Sequence, residues 1–205
     1  MINRCAKVLV ILVAVLHGCV SAPAPRYYRV PLDFSITNGT SYRPSRGSLR
    51  VARFRAVPPL RQDSIVTYQE ESPLIEFSPS ALWESSPTDI VNVKLAEAFR
   101  VEHMFTRVQN RPGRPMADYV IKGKILRFNR LETSDGLYGE VGLEVELVEQ
   151  ETREILWSAV IKVREKAGSD DPQAVALAVS KALKQCILQI TQQVQEATTS
   201  HRVMR

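Results

Sequence analysis

The most regular pattern in the chain is an alternation of apolar and polar residues that occurs twice in succession. Apolar side chains occupy every second position from Val141 to Leu147 and again from Ile155 to Val163. This period of two predicts a pair of strands with one buried face. The polar segment Glu149–Arg153 between them predicts the turn of a hairpin. The register that aligns Leu147 with Ile155 places Glu140 opposite Lys162, as an ion pair across the strands.

A helix is predicted between Ser86 and about His103. Ser86 is a favourable N-cap, and Pro87 after it fits the first helical position. The spacing of apolar residues puts Val93 on the buried face of this helix and Asn92 on the polar face.

A second, longer helix is predicted from about Asp170 to Thr198. Its apolar residues recur at spacings of three and four, which defines one helix face. They are Val175, Val179, Ala182, Cys186, Ile190 and Val194. Because Cys186 lies in the middle of this stripe, we expect a buried structural thiol.

Shorter strand-like runs fill the remaining sequence, at residues 49–54, 65–69, 74–77, 105–108 and 118–131. Residues 65–69 and 74–77 predict a second hairpin, and residues 118–131 are apolar on both sides, which is typical of a central strand. Strands grouped together with two helices indicate the α+β class. We expect a mostly antiparallel sheet with the two helices covering one face.

The N-terminal segment has the layout of a secretory signal peptide. Arg4 and Lys7 precede a wholly apolar stretch from Val8 to Leu16. This stretch is about half of the roughly 20 residues that a transmembrane helix needs.

The residues that end this stretch, Leu16-His17-Gly18-Cys19, resemble the bacterial lipobox. The resemblance implies cleavage between Gly18 and Cys19, and attachment of lipid, including a fatty acid such as palmitate, to Cys19. His17 departs from the small residue that is usual there. An ordinary signal peptide with a chance cysteine is the alternative.

With lipidation at Cys19, we expect four parts along the chain. These are a signal peptide (1–18), a lipidated tether (19–26), a folded domain (27–198) and a flexible tail (199–205). Two or three acyl chains give stable anchoring. Val20 is not the Asp that retains lipoproteins at the inner membrane in enteric-type bacteria, which favours the outer membrane.

Charge and motifs exclude several functions. The net charge of +5 comes without a Lys/Arg run, so we expect no nucleic-acid partner. A loose basic cluster (Arg107, Arg111 and Arg114) lies in a predicted loop. We interpret it as solvated, with a phosphate or lipid-headgroup contact as the alternative.

Motifs of nucleophilic, zinc and phosphate-loop sites are absent. We therefore expect no catalytic residue, no metal and no cofactor. For Asp118 we expect a structural role, in a hydrogen bond with a neighbouring loop.

Three aromatic residues are candidates for a partner interface: Tyr27, Tyr28 and Trp83. Trp83 lies outside the predicted strands and helices, so a core position and an interface position both remain open. The pair Tyr27-Tyr28, beside the anchor, fits either the membrane interface or the start of an edge strand. Trp157 is on the apolar side of the long hairpin, where we expect it in the core.

Taken together, these segments resemble the ABC-type transport auxiliary lipoprotein family, whose best-known branch is paraquat-inducible lipoprotein C. The resemblance covers about residues 16–195. Its matching elements are Cys19, Tyr27–Val30, Leu49–Val51, Ile65–Tyr68, Trp83, Ala117–Val120 with Gly123 and Ile125, and the Val141–Val163 hairpin with the final helix.

The resemblance implies a non-enzymatic accessory protein of the envelope that faces the periplasm. Family members work with a mammalian-cell-entry (MCE) domain protein, a permease and an ATPase to move phospholipid or other hydrophobic molecules between membranes. A homo-oligomer is compatible with this role. The alternatives are a lipoprotein of another assembly, such as a lipopolysaccharide translocon or a peptidoglycan-associated complex, and a hydrolase with an unusual site.

Overall fold

The structure, a computed structural model, describes residues 24–34, 45–111 and 116–203, with only the backbone described at residues 45, 46 and 201–203. The predicted signal peptide, Gly18 and Cys19 therefore lie outside the described residues. The elements are β1 (Arg26–Tyr28), β2 (Ser45–Val51), β3 (Arg55–Ala56), β4 (Ser64–Gln69), β5 (Ile75–Trp83), α1 (Pro87–Val101), β6 (Phe105–Gln109), β7 (Tyr119–Thr133), β8 (Gly136–Glu149), β9 (Ile155–Lys166) and α2 (Pro172–Val203).

The sheet is organised around β7. Along one side, β7 pairs antiparallel with β8 over nearly its whole length. Along the other side, β2, β3 and β4 follow one another, and all three run parallel to β7. The strands β1 and β6 add further parallel pairs, with β5 and β2 respectively, while β4–β5 and β8–β9 are antiparallel.

The α+β class is confirmed, but the expectation of a mostly antiparallel sheet was wrong, because the sheet is mixed. The physical reason is that side chains alternate between faces in the same way in both kinds of pairing. The apolar pattern therefore gives the buried face of each strand without giving the direction of its neighbour.

Both helices contact each other and the sheet. Helix α2 packs on β8 and β9, and its predicted stripe is buried from Val175 to Val194. It approaches β8 closely at Gly139, where an added Cβ would stand 2.2 Å from the backbone nitrogen of Val179. A side chain at this position would push the helix away from the sheet.

Helix α2 continues to Val203, so residues 199–203, which we expected in a flexible tail, are helical. The Asp171 carboxylate accepts a hydrogen bond from the Gln173 backbone N–H at 2.9 Å, as a cap at the start of the helix. By length and mean hydropathy, Pro172–Ser200 could cross a membrane, yet most of it is buried inside the domain. Cys186 is fully buried, as expected, and burial raises the pKa of its thiol to about 12.

Helix α1 begins as predicted. The Ser86 hydroxyl accepts a hydrogen bond from the Asp89 backbone N–H, and Pro87 is the first helical residue. Its two faces depart from the prediction, however, because Asn92 is buried and Val93 is 48% exposed. The Asn92 amide donates to the carbonyls of Val51 and Ala52, where β2 ends. Buried carbonyls need such donors, so this contact outweighs the apolar pattern.

The long hairpin confirms the predicted alternation but not the predicted register. Leu147 pairs with Trp157, and Val148 pairs with Ile155, so Leu156 is an extra residue in β9. On the turn side the register is already displaced by one position, because Val148 pairs with Ile155 rather than Glu154. The bulge adds a second position, so Glu140 stands opposite Arg164 rather than Lys162. A single inserted residue leaves little trace in an alternating pattern, which is why the sequence did not reveal it.

Candidate functional site

The chain enters the domain through β1, which pairs in the described structure only with β5. Tyr27 is 65% exposed, and Arg26 and Arg29 beside it are exposed as well. Tyr28 is half-buried and packs against the core. Of the two interpretations left open for this pair, the edge strand is confirmed. Contact of Tyr27 with a membrane or a partner remains a prediction.

Trp83 is a core residue. It is the last residue of β5, it is fully buried, and its ring meets that of Phe128 edge to face with centroids 5.1 Å apart. Its interpretation as an interface residue outside regular structure was wrong, because β5 continues six residues past Phe77, where the predicted strand ended. Trp157 is half-buried and packs against the core.

A cluster of charged side chains lies on β7, β8 and β9, centred on Glu140. Glu140 alternates with core residues and therefore points to the sheet face opposite α2, yet it is only 1% exposed. Three cations cover it. Its Oε1 lies 2.8 Å from Nε of Arg164 and 3.0 Å from Nζ of Lys162, and its Oε2 lies 3.5 Å from Nε of Arg127.

Further contacts fix the cations of this Glu140 cluster. The guanidinium of Arg127 lies 5.1 Å from the centre of the Tyr68 ring, a cation–π distance. Glu70, next to β4, accepts a hydrogen bond from Arg164 at 3.1 Å. Hydrogen bonding to Glu140 raises the pKa of Arg164. The cluster therefore joins four parts of the sheet by charge-assisted bonds.

Of the Glu140 cluster, sequence reasoning found only the ion pair of Glu140 with Lys162, which the structure confirms at 3.0 Å. The prediction paired Glu140 with one cation across an exposed strand face, and the burial of its carboxylate was not foreseen. Arg127 reaches Glu140 past Gly142, which has no side chain in the way. The one available indication was Gly142 itself, which interrupts the row of glutamates on that face.

Asp118 makes the structural contact expected of it. Its Oδ2 accepts hydrogen bonds from the backbone N–H and the hydroxyl of Ser48, at 2.6 and 2.8 Å. These bonds hold the pKa of the Asp118 carboxyl below its usual range. The partner belongs to β2 rather than to a loop, so the contact fastens the start of β7 to its parallel neighbour.

Strand β9 carries exposed apolar side chains. Val160 is 65% exposed and Ile155 is 53% exposed. Within the described ranges β9 pairs only with β8, so its outer edge has free backbone groups. No group of three or more His, Cys, Asp or Glu side chains able to hold a metal occurs among those residues either.

Comparison with known proteins identifies the family. The family model described as "ABC-type transport auxiliary lipoprotein component" matches residues 32–191. No curated protein matches the chain significantly.

Solved structures with the same fold come from distant sequences. A Xanthomonas campestris protein assigned to family DUF330 superposes with a TM-score of 0.78 at 17% identity, over 86% of this chain and 98% of that one. A hypothetical protein from Chlamydia trachomatis gives 0.54 at 8% identity, over 76% of this chain and 99% of that one. At such identities the likeness establishes the fold alone.

The family match covers most of the folded domain, from Leu32, after β1, to Thr191, within α2. It confirms the resemblance seen in the sequence, and it implies association with an ABC transport system and a place in the cell envelope. The chain belongs to the family of ABC-type transport auxiliary lipoprotein components.

Proposed function

We propose that this protein is a non-catalytic lipoprotein, anchored through Cys19, that serves an MCE-type ABC transport system moving phospholipid or other hydrophobic molecules across the bacterial envelope. In this proposal it faces the periplasm from the outer membrane. It contacts the MCE-domain protein and, through that protein, the permease and the ATPase.

The family match over residues 32–191 carries the proposal, because an auxiliary component must act through other chains. The lipobox resemblance at Leu16–Cys19 supports the anchor, and Arg26 and Arg29 beside exposed Tyr27 suit a position close to an anionic membrane surface. The exposed apolar residues of β9 are compatible with binding to another protein.

The first test is crosslinking of the tagged protein in its native cells, followed by mass spectrometry of the material that co-purifies. A photo-crosslinking residue at Tyr27, Val160 or Leu188 would leave the core intact, because these side chains are 65%, 65% and 42% exposed. We expect an MCE-domain protein to be crosslinked at one or more of these positions. The matched control carries the crosslinker at exposed Glu151, in the turn after β8.

Recovery of another envelope complex without any MCE protein would contradict the transport partner. The function would then move to the alternative assembly, such as a lipopolysaccharide translocon or a peptidoglycan-associated complex.

The anchor has a separate test. Substitution Cys19→Ala removes the thiol that receives lipid, so we expect the variant to leave the membrane fraction. Cys186→Ala is the matched control, since its buried thiol cannot take part, and it should remain in the membrane. Equal membrane retention of the Cys19→Ala variant and the wild type would rule out the lipid anchor.

A further inference from the structure

A cleft lies where the end of β2 meets the first turns of α1 and the chain after β6. Its volume is about 590 Å³, and its lining includes Arg50, Arg53, Arg111 and Val93. These residues are far apart in the sequence. The basic loop singled out in the sequence therefore contributes Arg111 to a place where the fold supplies two more arginines.

The charges around this arginine cleft do not balance. Arg53 forms an ion pair with Asp89 at 3.1 Å. Asp89 is the sole carboxylate among the lining residues. Within the described ranges the side chains of Arg50 and Arg111 have no ion pair and no hydrogen bond. Two guanidinium groups thus remain without a counter-ion in a concave place, where low-dielectric walls strengthen their field.

The cleft also offers apolar surface. Val93 is 48% exposed on α1, although the pattern of the helix would bury it. The adjacent residue Asn92 also lines the cleft, and its side-chain amide donates hydrogen bonds to the carbonyls of Val51 and Ala52. That bond fixes the first turns of α1 against β2, so the cleft is formed without a ligand.

We propose that the arginine cleft binds the phosphate-bearing headgroup of an anionic phospholipid, with Arg50 and Arg111 on the phosphate and Val93 against the adjoining glycerol or acyl carbons. Arginine forks match phosphate oxygens in geometry and charge. A cleft of this volume suits a headgroup better than a protein surface. The inference rests on the proposed function and assigns to this chain a binding site for the lipid headgroup.

The test measures binding to the full lipoprotein in an uncharged detergent by titration calorimetry. The probes are dihexanoylphosphatidylglycerol below its micelle concentration, dihexanoylglycerol and inorganic phosphate. We expect the phosphatidylglycerol to bind more tightly than either of the other two. The double variant Arg50→Gln/Arg111→Gln should weaken its binding about tenfold or more, because both charge-assisted contacts are lost.

A matched control removes two charges elsewhere. Arg55→Gln/Lys184→Gln changes exposed side chains outside the cleft and should bind phosphatidylglycerol like the wild type. Equal loss in both double variants would reduce the effect to net charge and overturn the proposal. So would equal binding of dihexanoylglycerol, absence of binding, or inorganic phosphate binding as tightly as the lipid. A short oligo-glutamate peptide serves as a fourth probe, and its tighter binding would overturn the proposal in favour of an acidic protein segment.

The two proposals fail separately. If the Arg50→Gln/Arg111→Gln variant and the wild type bind lipid equally while the MCE-domain protein is still recovered by crosslinking, only the cleft assignment falls. If lipid binding depends on the arginines but no MCE protein is recovered, the cleft assignment survives and the transport partner is wrong.

Discussion

At the scale of single residues, Glu140 shows how a charge becomes part of the structure. A carboxylate removed from water loses hydration, and close cations must compensate for that loss. Here Arg127, Lys162 and Arg164 do so from two neighbouring strands, with distances between 2.8 and 3.5 Å. Removal of the carboxylate would leave Arg127 and Lys162 close together without this counter-ion, and Arg164 with Glu70 alone.

We predict that Glu140→Gln lowers the free energy of unfolding by about 2 kcal/mol, less than for a fully buried network because the cations are partly exposed. Chemical unfolding followed by circular dichroism measures this. Glu144→Gln, on the same face of β8 but exposed, is the control and should change stability by less than about 0.5 kcal/mol. Equal effects of the two substitutions would show that the Glu140 cluster does not stabilise the sheet.

Asp118 gives a prediction for pH dependence. Its folded-state pKa is lowered, chiefly by hydrogen bonds from Ser48, from an ordinary value of 3.8. The charged carboxylate therefore stabilises the fold above pH 3.8, and this contribution disappears as the pH falls through the lowered pKa. We expect Asp118→Asn to reduce Tm at pH 6 and to have little effect well below pH 3.8. Asp33→Asn, also exposed, is the control, and a pH-independent difference for Asp118→Asn would contradict the assignment.

At the scale of elements, the position of α2 on the sheet depends on small residues. The helix presents buried Ala178 and Val179 to β8, and Gly139 lets its backbone come close. The stripe of apolar residues in the sequence predicts which face of α2 is buried. The stripe does not specify which strand the helix packs on or how close the two come, because both depend on Gly139 in β8.

We predict that Gly139→Ala destabilises the protein by about 2 kcal/mol, since overpacking forces the helix and the strand apart. Gly168→Ala is the matched control, because an added Cβ there meets no atom within 4 Å. It should shift the unfolding midpoint only slightly. Similar midpoints for the two variants would mean that α2 can move away from β8 at little cost.

At the scale of the whole molecule, the number of reactive thiols depends on both the proposed lipid anchor and the fold. In the proposed lipoprotein, cleavage removes Cys5 and lipid occupies Cys19, so we predict a single thiol in the mature protein, that of Cys186. Burial raises its pKa to about 12 in the folded state, which leaves almost no reactive thiolate at pH 8.

We therefore predict no reaction with Ellman's reagent in the native lipoprotein at pH 8 and one equivalent in denaturant. The Cys186→Ala variant is the control and should give none in either state. Two equivalents in the unfolded wild-type protein, once mass spectrometry has shown that the leader is removed, would mean that Cys19 carries no lipid. Rapid reaction of the native protein would mean that Cys186 is accessible.

The local structure of this protein could be predicted from its residues alone: the strands of the long hairpin, both helices, the Ser86 cap and the buried Cys186. Each of these depends on neighbours within a few positions, so periodicity and capping are sufficient to find them. The order of the segments also allowed the family to be recognised.

Four features became visible only in the folded protein. They are the mixed pairing around β7, the burial of Trp83, the shifted register that gathers three cations on Glu140, and the presence of Arg50 and Arg111 in one cleft. These features join residues that are distant in the chain. An alternating pattern is the same for parallel and antiparallel neighbours, and it does not count a single bulged residue. The charged groups therefore find their partners only when the strands are in place.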